Sequence, residues 1–92
     1  MSKISIGMSK ADVLQALGKK PDNVIGAKQY ENGVMEVVQY SGPANLHAAN
    51  PNTIETYWLY FFDDRLVEWG KPLSDWEIYV TRIYETRCRT AP

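Results

Sequence analysis

The chain has 92 residues, of which 45% are hydrophobic, 12% aromatic and 23% charged, and its formal net charge at pH 7 is −1. This length supports one small domain, residues 1–92, and the near-balanced charge lacks the basic footprint of a nucleic-acid-binding protein. The single cysteine, Cys88, excludes an internal disulfide. No apolar run approaches the roughly 20 residues of a membrane span.

The first predicted element is a short helix within IGMSKADVLQALGKKP, residues 6–21. Ser9 and Asp12 have the residue types and the spacing of an N-terminal capping box, and Gly18 is a typical helix end. A helix this short is marginal alone, so we expect it to pack against a sheet. The apolar residues of its predicted buried face are Val13, Leu14 and Leu17, with Ala16 at the edge.

The middle of the chain predicts antiparallel strands joined by tight turns. Asn32-Gly33 is a strong hairpin signal, and Asp63-Asp64 forms a second turn. The predicted strands are a weaker one near 27–31 and firmer ones at 34–41, 54–62 and 65–70.

Residues 41–53, between the second and third predicted strands, read as a long loop rich in Gly, Pro, Asn and Ala. Loops of this length in compact domains are often functional. This loop carries His47, the only histidine in the chain.

Predicted strand 54–62 is apolar on both faces, whereas a half-solvated strand alternates apolar with polar residues. Either both faces of the sheet are covered within the domain, or one face carries an aromatic patch that a partner covers. One face holds Ile54, Trp58, Tyr60 and Phe62, and the other holds Tyr57, Leu59 and Phe61.

Residues 75–87 predict a second, amphipathic helix. Ser74 and Glu77 have the spacing of a capping box. A strand stays open as an alternative, because Trp76, Ile78 and Val80 alternate with polar residues. The apolar face of the helical alternative consists of Trp76, Tyr79, Val80 and Ile83.

The sequence predicts no catalytic, cofactor or metal site. A nucleophilic dyad of Cys88 and His47 would need two residues that lie far apart in the chain, and one histidine with one cysteine is too few for a metal. Asp63 and Asp64 are turn formers rather than an acid–base pair. We therefore expect a domain that is not an enzyme.

Large aromatic side chains are the main candidates for function, because a domain of this size has limited room to bury them all. Aromatic anchors of this kind dominate protein–protein interfaces. The predicted protein-binding residues are Tyr57, Trp58, Tyr60 and Trp69, together with His47 of the neighbouring loop.

The opening MSKISIGMSKADVLQALGKKP resembles the N-terminal motif of the SmpA/OmlA, or BamE-type, family of small bacterial outer-membrane lipoproteins. YWLYFFDDRLVEWGKP resembles two of that family's strands, so the resemblance covers about residues 3–72 and leaves 73–92 as a C-terminal extension. The matching N-terminal positions are Ile4, Gly7, Met8, Ser9, Val13, Leu17, Gly18 and Pro21.

The resemblance implies an α+β fold in which a pair of short N-terminal helices packs on a three- to four-stranded antiparallel sheet. The β-lactamase-inhibitor proteins share that architecture. In this chain the first helix of the pair would span at most a few residues around 2–6, and the helix at 75–87 would be an addition to the family core.

The resemblance also implies a non-enzymatic, protein-binding role on the periplasmic side of the outer membrane, in outer-membrane protein assembly or envelope maintenance. The family's lipidated cysteine is not among these residues, so membrane attachment through a lipid anchor is implied by resemblance alone, and a cytoplasmic location is the alternative. The partner would be an envelope protein or a second copy of the chain. Two further alternatives are a protein inhibitor of an envelope or secreted enzyme, and a small enzyme or ligand-binding domain with a pocket near His47.

Overall fold

The computed structural model describes residues 4–43 and 54–88, which form a four-stranded antiparallel sheet with two helices. The sheet order is β1-β2-β3-β4, and the coarse α+β class is the predicted one. The strands are β1 (Asn23–Tyr30), β2 (Gly33–Pro43), β3 (Ile54–Phe62) and β4 (Arg65–Gly70). The helices are α1 (Lys10–Leu17) and α2 (Trp76–Ile83), and α2 continues as a π-helical segment (Tyr84–Cys88).

Helix α1 begins and ends at the residues that the sequence predicts. The Asp12 amide donates to Ser9 Oγ at 3.1 Å, and the Ser9 amide donates to Asp12 Oδ2 at 3.3 Å, which completes the capping box. Gly18 has a φ of 74°, and its N–H donates to the Leu14 carbonyl at 2.9 Å. Glycine adopts this left-handed conformation without steric cost, so it stops the helix.

The buried face of α1 is narrower than predicted. Val13 is fully buried against the sheet, and Ala16 and Leu17 pack beside it. Leu14 is 39% exposed, so its assignment to the buried face is wrong. The reason is geometric: Val13, Ala16 and Leu17 have the i, i+3, i+4 spacing of one stripe, and Leu14 lies at its side.

Residues 4–8 are not helical, so the described chain has one N-terminal helix instead of the implied pair. Gly7 N–H donates to the Leu66 carbonyl, and Leu66 N–H donates to the Met8 carbonyl, both at 2.8 Å. Ile4 is 5% exposed and packs in the core. The segment therefore lies along the outer edge of β4 and inserts one apolar anchor.

The first predicted hairpin is present, but its turn lies one residue earlier than Asn32-Gly33. Tyr30 pairs with Gly33, so Glu31 and Asn32 connect β1 to β2 and Gly33 belongs to β2. Strand β1 is longer than the predicted 27–31. The second predicted turn is confirmed. Asp63 and Asp64 connect β3 to β4 with φ values of 50° and 69°. Two left-handed residues match the right-handed twist of the flanking strands, which explains the tight β3–β4 connection.

Strand β2 runs through Ser41 to Pro43, so the predicted loop begins later than residue 41. Gly42 and Pro43 continue the ladder by pairing with Glu55 and Ile54 of β3. Residues 44–53, including His47, lie outside the described residues.

Both faces of the sheet are covered by a helix, so the sheet is the middle of three layers. For strand 54–62, coverage within the domain holds at Leu59–Phe61, which are buried, whereas Tyr57, Trp58 and Phe62 stay partly exposed. The core on the α1 face contains Ile4, Val13, Val38, Tyr40, Leu59, Phe61 and Leu66. The core on the α2 face contains Met35, Val37, Tyr60, Val80 and Ile83.

The second helix is confirmed, but its predicted cap is not. The residue before α2 is Asp75, with φ −105° and ψ 43°, and no side chain caps the first turn. The predicted Ser74 capping box is therefore wrong: α2 begins one residue later, and Asp75, which precedes it, lacks the extended conformation of a capping residue. Ile78 is 66% exposed while Val80 is fully buried, which excludes the strand alternative.

Trp76 fixes the start of α2 over β1. A Cβ atom added to Gly26 would lie 2.6 Å from Trp76 Cη2, closer than real Cβ contacts allow. The missing side chain at Gly26 therefore leaves the space that the indole ring fills on this face of the sheet.

Candidate protein-binding surface

The structure divides the predicted aromatic residues between the two faces of the sheet. Tyr57 and Trp69 are partly buried against the α1-face core, whereas Trp58 is partly buried against the α2-face core. Tyr60 is fully buried on the α2 face. His47 lies outside the described residues.

Tyr60 belongs to the core. Its ring packs edge-on against that of Tyr79, with 5.4 Å between centroids. Its hydroxyl has no hydrogen-bond partner among the described residues, and burial raises the pKa of this hydroxyl to about 12. Tyr60 therefore has no surface to offer a partner, and it stabilises the α2-face core instead.

The other three aromatic residues keep exposed edges and are held in place by the sheet. Trp58 Nε1 donates to Gln39 Oε1 at 3.1 Å, across the β2–β3 ladder. Tyr57 lies opposite Tyr40 in β2, and Trp69 lies opposite Leu59 in β3. All three lie where the start of β3 meets the end of β4, which we call the aromatic end of the sheet.

A groove on the α1 face was not predicted. Its volume is about 210 Å³, and its lining includes Leu14, which is 39% exposed. An eight-residue helix is about 12 Å long, and four strands spaced about 4.8 Å apart are wider than one helix. The short predicted length of α1 was the one sequence feature from which a partly uncovered sheet face could have been expected. The groove is lined by Lys10, Ala11, Leu14, Lys20, Pro21, Val38, Tyr40 and Phe61.

Charged groups around this groove tie α1 to the sheet. Lys10 forms an ion pair with Glu36 of β2. At the other end of α1, Asp22 Oδ2 accepts from the Ser41 amide at 2.5 Å and from Lys19 Nζ at 3.0 Å. The Ser41 hydrogen bond, followed by the Lys19 contacts, lowers the pKa of Asp22.

Small-molecule sites usually have volumes of about 300–1,000 Å³, so this groove is small for one. Burial, with a smaller contribution from the Asp22 charge, raises the pKa of Tyr40 on its floor. The floor of the groove therefore carries a neutral phenol at ordinary pH, and its size suits one or two apolar side chains.

A second unpredicted feature lies between β1 and α2. An open recess of about 370 Å³ follows the outer side of α2 next to β1. Lys28 Nζ crosses it to Thr81 Oγ1 at 3.0 Å. This recess depends on β1 being an edge strand, which the strand order determines and local sequence patterns do not. Its lining is Lys28, Glu77, Ile78, Thr81, Arg82 and Glu85.

Within residues 4–43 and 54–88, no group of three or more His, Cys, Asp or Glu side chains is placed to hold a metal ion. None of the helices in this part of the chain has the length and apolarity needed to cross a bilayer. Comparison with protein-family models, with curated proteins and with solved structures found no match.

Proposed function

We propose that this domain is a non-catalytic protein-binding module and that a partner contacts its aromatic end. The observation that carries this proposal is that Tyr57, Trp58 and Trp69 are anchored in paired strands and still partly exposed. Aromatic residues in such positions are enriched among the few that dominate binding energy.

The sheet also reduces the cost of binding at this end. The Trp58 indole is oriented by Gln39 before any partner arrives. Ordering a free side chain at an interface costs about 0.5–1.5 kcal/mol, so side chains already held in place favour association. A partner that offers an apolar, weakly charged surface would cover these rings.

We place this activity in the bacterial cell envelope, on the periplasmic side of the outer membrane. The support is the motif resemblance to the SmpA/OmlA family, whose matched positions include the residues that begin and end α1. The role would resemble outer-membrane protein assembly or envelope maintenance. Fractionation of the full-length gene product tests the location: recovery with the outer membrane is expected, and a cytoplasmic pool alone would overturn it.

Site-specific photo-crosslinking in cells tests the binding surface. A photoreactive amino acid replaces Trp58 or Trp69 in the full-length protein, and a matched control replaces Glu31, an exposed turn residue between β1 and β2. We expect both aromatic positions to capture the same envelope protein and Glu31 to capture none. Equal capture at all three positions, or none at the aromatic ones, would contradict the proposal.

The captured protein then allows a quantitative test with purified components. Trp58→Ala and Trp69→Ala should each weaken binding by about 30-fold or more, which corresponds to about 2 kcal/mol. Glu31→Ala should leave the affinity unchanged. A loss below about threefold for both tryptophan variants would mean that the aromatic end is not the energetic centre of the interface.

A further inference from the structure

We infer that a second copy of this chain binds along the outer edge of β1, so that the two sheets join and the two α2 helices lie side by side. This surface is separate from the aromatic end. It goes beyond the proposed function, and neither proposal depends on the other.

The outer edge of β1 is unoccupied by the described residues. β1 has β2 as its one neighbour in the sheet, and none of the described backbone groups bonds to its other side. The opposite edge differs, because Gly7 and Met8 already bond to Leu66 of β4. In an edge strand every second residue directs its N–H and C=O outward, which is a template for another strand.

The usual protection of an edge strand is weak here. A bulge between Val24 and Gly26 interrupts the ladder, so the regular part of the edge is 26–30. Lys28 is the one charged residue in that stretch, and its ammonium group donates to Thr81 Oγ1 of α2. A lysine directed along the helix face leaves the backbone edge accessible, whereas a protecting lysine would project across it.

Charge selects the register in which two such edges would pair. Antiparallel pairing centred on Lys28 would place two ammonium groups directly opposite each other, which is destabilising. Pairing centred on Ala27 places Lys28 opposite Gly26 of the second copy. Gly26 carries no side chain, and the Trp76 ring of the second copy fills the space over it, so the aliphatic part of Lys28 would meet that apolar ring.

The outer side of α2 is self-complementary. Its recess carries two cations, Lys28 and Arg82, and two anions, Glu77 and Glu85, so it has no net charge. A two-fold axis brings the helices together in antiparallel orientation, and opposite charges can then face each other. Ile78, which is 66% exposed, supplies an apolar contact at the usual helix separation of about 8–10 Å.

The oligomeric state of the purified full chain tests this inference. Sedimentation velocity over a dilution series from about 1 to about 500 μM should show a monomer–dimer equilibrium. Ile78→Glu should weaken dimerisation by at least about tenfold. The matched control is Val34→Glu, since Val34 is 43% exposed on the opposite face of the sheet, and it should leave dimerisation unchanged.

Hydrogen exchange gives a second measurement that needs no variant. The outward-directed amides of Ala27 and Gln29 should exchange more slowly as the protein concentration rises, because a second strand pairs with them, whereas the amides that already bond to β2 should change little. A monomer throughout the dilution series would overturn the inference. A dimer that Val34→Glu weakens and Ile78→Glu does not would also overturn it, because the interface would then lie on the α1 face of the sheet. Either result leaves the crosslinking test at the aromatic end unaffected.

Discussion

At the residue scale, burial of the Tyr60 hydroxyl has a free-energy cost that no hydrogen bond from a described neighbour offsets. This hydroxyl is buried without a hydrogen-bond partner among the described residues, while the hydroxyl of adjacent Tyr79 donates to Glu68 Oε2 at 3.3 Å. An unpaired buried hydroxyl costs about 1–3 kcal/mol. The sequence shows that residue 60 is a tyrosine, but local patterns do not reveal that its hydroxyl lacks a hydrogen-bond partner.

Replacing Tyr60 with Phe should raise the free energy of unfolding by about 1 kcal/mol at pH 7, because the unpaired hydroxyl is removed and the ring stays. Urea denaturation measures the change. Tyr84→Phe is the contrasting control: it loses the 2.7 Å hydrogen bond to Asn32 Oδ1, so it should be slightly destabilised. Destabilisation by Tyr60→Phe would show that the hydroxyl has an important partner.

The stability of Tyr60→Phe and that of the parent protein should also depend differently on pH in alkaline solution. Folding raises the pKa of Tyr60 from 10.0 to about 12, so the folded state holds the phenol proton more tightly than the unfolded state. The contribution of the Tyr60 phenol proton to the free energy of unfolding is fully present below pH 10 and is lost as the pH rises toward 12. Tyr60→Phe should therefore lose less stability than the parent protein over this interval, as urea titrations at each pH would show.

At the element scale, the two helix starts show when a capping pattern is sufficient. Ser9 and Ser74 both precede a carboxylate at capping-box spacing. Ser9 is the N-cap of α1 and has the extended conformation, with φ −74° and ψ 166°, whereas Asp75 occupies that position at α2 and is not extended. The β4 edge holds Ser9 in place, since Ser9 forms a bridge with Arg65. Among the described residues, no such bridge holds the backbone before α2, so we attribute the difference between the two helix starts to this tertiary contact.

Ser9→Ala and Ser74→Ala form a matched pair of substitutions. Ser9→Ala should lower the free energy of unfolding by about 1 kcal/mol, the usual cost of losing a helix cap. Ser74→Ala should change it by less than about 0.5 kcal/mol, as at most exposed sites. Urea denaturation of both variants measures the difference. Equal losses would mean that Ser74 caps α2 in solution.

At the scale of the whole molecule, sequence patterns predicted the helices and strands better than they predicted which elements contact one another. Strands β3 and β4, the Asp63-Asp64 turn and both helices followed from periodicity, turn residues and glycine, whereas the β1–β2 turn lies one residue earlier than predicted. The face that each helix covers, the exposure of Leu14 and the insertion of Ile4 depend on contacts between distant segments. The aromatic end was partly predictable, but the burial of Tyr60 was not, because α2 covers it.

A shared sheet should make the two cores unfold as one unit. Val13→Ala on one face and Val80→Ala on the other each remove two buried methyl groups, so each should lower the free energy of unfolding by roughly 2 kcal/mol. Native-state hydrogen exchange should show the same loss at the β2 and β3 amides in both variants. If only one variant affected those strands, the two faces would be independent.

The order of the strands has a consequence for how the molecule folds. Each strand pairs with the strand next to it along the chain, from β1 through β4. Such nearest-neighbour connections lower the contact order and require little loop-closure entropy, so folding is faster than in sheets with crossovers. The first hairpin can pair while the rest is still being synthesised. Helix α2, which follows β4 in the chain, then covers a sheet that is already assembled.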